Sequence, residues 1–212
     1  MAKVSRTILG EDIKAVFSGL PDFSDLDHEA DERFGWITQS EDLEPASVVS
    51  AAVLVPLITH STGVTILLTQ RAGNLATHPG QVSFPGGKTE TEDDGPEDTA
   101  LREAEEEIGL SRENVQIIGR LGRRTTGSGF RVTPIVGLID PILTLKRNRS
   151  EVEKIFEIPL SFVLDKTNHR KETRVLKGHE RKFYVLPFEG HYIWGLTARL
   201  LIALGDVLKP RS

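Results

Sequence analysis

Residues 86–110, GGKTETEDDGPEDTALREAEEEIGL, limit this chain more than any other stretch, because they spell a short helix with more carboxylates than its own cations can balance. Gly95 caps its start and Pro96 suits the first turn, where an amide N–H would lack a helical partner anyway. Glu97 and Asp98 sit at the positive end of the helix dipole. At about 100° per residue, Leu101, Ala104 and Ile108 share an apolar sector, and Glu103, Glu106 and Glu107 are expected on the opposite side. One face must pack, and the other must carry negative charge. Gly109 stops the helix, so the carboxylates crowd its last turns, where the dipole is negative and like charges four residues apart repel.

Something positive has to offset that charge. Arg102 reaches Glu106 one turn on, but a single guanidinium cannot neutralise Glu103, Glu105, Glu106 and Glu107 together. A hard divalent cation can: Mg²⁺ or Mn²⁺ takes carboxylate oxygens, keeps several waters, and completes its shell with substrate phosphates. The competing reading is a solvated glutamate-rich surface, the ordinary fate of such a run.

The residues around the glutamates decide between the two. Gly87, followed by Arg102-Glu103-Ala104-x-Glu106-Glu107-x-Gly109-Leu110, resembles the Nudix box, whose second half is matched at every fixed position. In the first half Asp93 stands where glutamate is usual, and eight residues, not seven, separate it from Arg102; Asp94 would restore that spacing and break the one to Gly87. In the family this acidic residue is mainly the structural partner of the box arginine. The resemblance implies a Nudix-type α/β/α sandwich with a mixed sheet. It also implies Glu103, Glu106 and Glu107 as catalytic and metal-binding residues, Arg102 as part of the catalytic set, and the Gly87 carbonyl as a further ligand.

A narrower resemblance lies upstream. Leu67-Leu68-Thr69-Gln70-Arg71 and the run from Leu75 through His78, Gly80, Gln81 and Phe84 to Gly87 are similar to the signature of the coenzyme A pyrophosphatase branch. Ser128 to Pro134, Glu151-Val152 with Phe156, Pro159-Leu160, and Trp194-Gly195-Leu196-Thr197-Ala198 resemble the same branch. This implies that Arg71 grips phosphate, that His78, Gln81 and Phe84 wall the substrate pocket, and that the substrate is coenzyme A or a derivative. Cleavage would give 4′-phosphopantetheine and adenosine 3′,5′-bisphosphate. ADP-ribose, NADH or a nucleoside triphosphate is the alternative substrate, and a nucleotide sensor that does not cleave is the alternative class. A sensor would be expected to lack a catalytic glutamate, and all three are present.

Composition narrows the partners. With 212 residues the chain suits one domain, read as an extension over 1–48, partly helical, and a hydrolase domain over 49–208. A net charge of −5 without a basic stripe argues against nucleic acid and for a small nucleotide met by local cations. The absence of cysteine removes disulfides and thiolate chemistry. No run approaches the roughly 20 apolar residues of a membrane span, and no secretory leader is legible, so a cytoplasmic protein is expected.

In chain order, 10–20 suggests a short helix and 21–31 is acidic and broken by proline; the segment either packs on the domain or helps form a homodimer. Stretches 50–58 and 64–70 read as paired strands. Gly86-Gly87-Lys88-Thr89 is not a P-loop, since the required first glycine falls on Val82. Stretches 115–121 and 131–138 read as strands around a glycine-rich joint whose Arg124 is a second candidate phosphate contact. A short helix or turn is expected from Glu151 to Phe156, with Glu151 facing the acidic site. Another helical piece is expected over 159–164, a strand over 182–188, and a closing helix over 195–208 with Leu196, Leu200 and Ala203 as its core stripe.

Overall fold

A computed structural model describes residues 9–20, 48–126, 128–141, 144–176 and 179–209. Along the chain these form α1 (Gly10–Ser18), β1 (Val49–His60), β2 (Gly63–Arg71), β3 (Val82–Ser83), β4 (Gly86–Lys88), α2 (Pro96–Ile108) and β5 (Val115–Arg120). Then come β6 (Arg124–Thr125), β7 (Phe130–Ile139), β8 (Val152–Pro159), α3 (Leu160–Leu164), β9 (Arg170–Leu176), β10 (His179–Phe188), β11 (His191–Trp194) and α4 (Gly195–Val207).

The main sheet is mixed. β1 and β2 form the expected hairpin, with His60 opposite Gly63, and β8 runs antiparallel along the far edge of β2. On its other side β1 pairs in parallel with β7, from Val49 opposite Phe130 to Ile58 opposite Ile139. A parallel pair needs a long crossover, and α2 lies in the chain between the two strands. β1 and β2 pair only at their hairpin ends, from Leu57 opposite Ile66 onward. Beyond that, β4 pairs with the first half of β1 and β3 with the last residues of β2. The short strands β3 and β4, the latter carrying the double glycine, therefore occupy the place where the two long strands part.

Alternating side chains build two cores. Ala52, Leu54, Leu67, Ile135 and Ile139 meet Ala100, Ala104 and Ile108 of α2 on one face. On the other, Val55, Leu57, Ile66, Leu68, Val136 and Leu138 join Ile13 and Phe17 of α1 and the leucines of α4. Helices thus cover both faces, the α/β/α sandwich expected from the sequence.

One stretch differs from the sequence reading, and one sheet adds to it. Glu151 does close a turn, but from Val152 the stretch is a strand and not a helix, because the open edge of β2 supplies hydrogen-bond partners and puts Phe156 and Ile158 inward. Helix α1 forms as expected, but its buried Ile13 and Phe17 belong to the same core as the strands, so it is part of the domain's packing. The acidic stretch 21–31 lies outside the described residues. A three-stranded antiparallel sheet, β11-β10-β9, surrounds the late strand read at 182–188. The outer members of that sheet are short or heavily charged and carry little apolar alternation.

Candidate active site

The acidic helix starts and stops where the sequence dictates. Pro96 occupies its first turn, and at its end Gly109 N–H bonds to the Glu105 carbonyl and Leu110 N–H to that of Ala104. Its faces divide differently from the expectation. Ala100, Ala104, Ile108 and also Glu107 are buried, whereas Leu101 is only partly so. On the helical wheel Glu107 lies about 20° from Ala100, so a carboxylate at that position is carried into the packed side. Glu106 is exposed and Glu103 lies between the two.

Arg102 organises the carboxylates from the side. Its Nε donates to Asp93 Oδ1 at 2.9 Å and its Nη2 to Asp93 Oδ2 at 3.1 Å, a bidentate pair. Asp93, not Asp94, is therefore the partner of the box arginine. Its carboxylate also accepts from Thr99 Oγ1 and from the Glu90 amide, both at 2.8 Å. These donors, Arg102 foremost, hold Asp93 well below the usual carboxylate range. Arg102 then spends Nη1 on Glu103 at 3.1 Å and Glu106 at 3.2 Å, and Nη2 also on the Lys88 carbonyl at 3.0 Å. The extra residue of the irregular first half is absorbed in the turn between Lys88 and Gly95.

Glu107 is the unusual group. It is 3% exposed, and its Oε2 lacks a hydrogen-bond partner. Burial, with Glu103 and Glu151 nearby, pushes its carboxyl up to about 8 against the pull of Arg71 and a hydrogen bond from the Gly86 amide. Arg71 ends β2 with Nη1 3.9 Å from Glu107 Oε1, and its own Nε is buried without a partner. Burial likewise raises the Glu103 carboxyl. The double glycine makes room for this arrangement. A Cβ on Gly86 would stand 2.4 Å from the Ala52 carbonyl oxygen, and one on Gly87 2.3 Å from Glu103 Oε1. Side chains there would push apart β1, β4 and the glutamate.

An unsatisfied buried carboxylate oxygen beside a second carboxylate, both raised by burial, suits a hard cation. Among the described residues no three acidic or histidine side chains close into a complete cage. Such a pair fits an ion that keeps water and substrate in its shell.

The upstream loop is only partly as expected. Arg71 N–H donates to the Gln81 carbonyl at 2.9 Å, so the loop folds back on the end of β2. His78 Nδ1 and Gln81 Oε1 are 3.0 Å apart, and His78 is held at φ 53°, a conformation that β-carbon sterics disfavour. His78 is exposed and Gln81 partly so. Phe84 is not: it is 3% exposed within the core on the α4 side, where an aromatic ring next to a glycine turn finds apolar partners. It anchors the loop and does not wall a pocket. Arg124 also differs, being 4% exposed in β6 opposite Val132, with Nη1 donating to the Arg123 carbonyl. A guanidinium so enclosed is no surface phosphate grip.

Two residues emerge only in three dimensions. Thr99 faces Asp93 from the first turn of α2. Asn148 donates from Nδ2 to Glu151 Oε1 at 2.8 Å and from its backbone N–H to the Glu107 carbonyl at 2.8 Å. An asparagine in a polar loop carries no periodic signal, so sequence reasoning passes it by. Glu151 lies near enough to the acidic pair for its charge to raise both Glu103 and Glu107.

Comparison with known proteins agrees with this geometry. Residues 49–176 match the NUDIX domain family. The chain is 43% identical over 159 residues to an uncharacterized Nudix hydrolase NudL of Photorhabdus laumondii, covering 75% of this chain and 84% of that protein. It is 42% identical over 161 residues to the NudL of Pectobacterium atrosepticum, covering 76% and 83%. Among solved structures, DR0079 from Deinococcus radiodurans aligns with a TM-score of 0.49 at 15% identity, covering 74% of this chain and 85% of that one. With the acidic helix, the glycine turn and the box arginine in place, the chain belongs to the Nudix family.

Proposed function

We propose that this protein is a divalent-metal-dependent pyrophosphohydrolase acting on coenzyme A or its derivatives. The observation that carries the hydrolase reading is the Glu107 carboxylate, buried with one oxygen unpartnered and set beside Glu103 and Arg71. Glu103 and Glu107 would hold Mg²⁺ or Mn²⁺, helped by Glu106 and the Gly87 carbonyl. The bound cation would supply polarisation of the phosphoryl oxygens and a water of lowered pKa. Arg102, locked by Asp93, fixes the direction of Glu103 and Glu106. Arg71, next to Glu107, places a positive charge where a phosphate would approach.

The substrate reading rests on the loop before the box. His78 and Gln81 are paired at the surface of a loop hydrogen-bonded to Arg71, where they can meet the polar atoms of a pantetheine arm. A panel of coenzyme A, dephospho-coenzyme A, ADP-ribose, NADH and nucleoside triphosphates, read by product mass with Mg²⁺ or Mn²⁺, tests it. Coenzyme A should give the highest kcat/KM, with masses of 4′-phosphopantetheine and adenosine 3′,5′-bisphosphate. A clear preference for ADP-ribose would overturn the substrate assignment, and turnover in excess EDTA would overturn the metal.

A further inference from the structure

We propose that Asn148 is a positioning residue for hydrolysis at this site, acting by aiming the Glu151 carboxylate at the Glu103 and Glu107 pair. The inference rests on the hydrolase reading above and adds to it the group that receives the proton of the attacking water.

Asn148 is the node where three pieces of the site meet. Its N–H donates to the Glu107 carbonyl in the last turn of α2, and its carbonyl accepts from Glu151 N–H at 3.1 Å and Val152 N–H at 2.8 Å. The Glu151 carbonyl in turn accepts from Ala72 N–H at 2.8 Å, next to Arg71. These backbone bonds tie the helix, the start of β8 and the end of β2 into one frame. They would survive a change of the Asn148 side chain.

The side chain has a separate task, and its orientation is fixed. Oδ1 accepts from Ser150 N–H at 3.2 Å and Ser150 Oγ at 2.6 Å, which leaves Nδ2 to donate to Glu151 Oε1 at 2.8 Å. Were the amide reversed, its NH₂ would face the Ser150 donor and its oxygen a carboxylate. So held, Glu151 keeps Oε2 without a hydrogen bond among the described residues.

The chemistry needs such a group. Water oxygen forms the new bond to phosphorus, a carboxylate takes the proton, and the bridging P–O bond breaks with its electron pair leaving on the departing phosphate. Glu103 and Glu107 are committed to the cation in this reading, and Glu106 is exposed and tied to Arg102. Among the described residues Glu151 is the remaining carboxylate near the pair, and the Asn148 amide is the side-chain hydrogen-bond partner that fixes its direction.

Steady-state kinetics of the full chain on its best diphosphate substrate, with thermal melts, test the proposal in Asn148→Ala, Asn148→Asp, Glu151→Gln and the double variant Asn148→Ala with Glu151→Gln. Asn148→Ala should lower kcat about 10–100-fold, the usual cost of losing a group that orients a functional one, with KM within about twofold. On the Glu151→Gln background it should cost nothing more, since its target is gone. Asn148→Asp keeps the acceptor for Ser150, and hence the turn, but repels Glu151, and should lose at least as much. Unchanged kcat in Asn148→Asp overturns the proposal, as do losses that add in the double variant or a rise in KM that accounts for the whole effect. A wild type inert on every diphosphate would instead overturn the hydrolase reading, and this inference with it.

Discussion

Helices α2 and α4 are both thirteen residues long and pack on opposite faces of one sheet, yet they are built to opposite ends. α4 buries eight residues, all uncharged, and its Thr197 hydroxyl still finds the Val82 carbonyl at 2.9 Å. α2 buries five, and one of them is Glu107 with an unpartnered oxygen. The first is held by the apolar area it removes from water. The second carries carboxylates whose burial opposes folding and is tolerated because Ala100, Ala104 and Ile108 anchor the helix and Arg102 with Asp93 braces its flank. One face of the sheet is packed with uncharged residues by its helix, and the other combines an apolar anchor with the buried charge of the proposed site.

The largest stability change should come from the α4 side. Leu204→Ala, at a fully buried position, should cost about 2–5 kcal/mol in urea unfolding while leaving the activity of the folded fraction intact. A loss below about 1 kcal/mol would mean that α4 is not the anchor. Next is Asp93→Asn, which removes the charged partner of Arg102 and should cost about 1.5–3 kcal/mol at neutral pH, the range for hydrogen bonds to a charged group. Because Asp93 is held below the unfolded range of about 3.9, its contribution is complete above that pH and fades as the pH falls toward its folded value. The gap between wild type and Asp93→Asn should therefore narrow below about pH 4. A gap that stays constant into acid would show that the aspartate acts by shape and not by charge.

The contrast between the helices also explains what the sequence could reveal. Helix α4 is legible because Leu196, Leu200 and Ala203 repeat at the helical period, and α2 because glycine, proline and its glutamates mark both ends. The helical period alone puts Glu107 on the wrong face, because a residue 20° from an apolar neighbour sits at a boundary that only the sheet beneath resolves. The role of Asp93 depends on how a turn absorbs one extra residue, a matter of backbone path. Phe84 and Arg124 lie in segments that read equally well as loop lining or packing, and burial decides between those. Strand β8 is not legible locally because its pairing comes from the edge of β2, more than eighty residues away.

A smaller effect of opposite sign should follow from Glu107→Gln. Replacing a buried, partly charged carboxylate with a neutral amide should raise stability in EDTA by about 1 kcal/mol, while hydrolysis is lost. This gain has no counterpart in α4, whose buried residues are all uncharged. A variant that is both inactive and less stable would mark Glu107 as structural.

The smallest effect concerns the loop between Ala72 and Gln81, where the site side holds backbone strain as well as buried charge. His78 is exposed at φ 53°, a conformation glycine adopts freely and histidine does not, and the imidazole compensates in part through its 3.0 Å contact with Gln81. His78→Gly removes both the strain and the contact. The two should nearly cancel, so unfolding should shift by no more than about 1 kcal/mol, toward greater stability if the strain is the larger. Binding has no such cancellation. If the imidazole meets the pantetheine arm, KM for coenzyme A should rise several-fold with kcat little changed, whereas ADP-ribose, which lacks that arm, should be affected less. Equal changes in KM for both substrates would place His78 outside the arm's path. A fall in kcat with KM unchanged would show instead that the strained turn orders Arg71 through the Gln81 carbonyl, making the loop part of the braced face and not a separate specificity element.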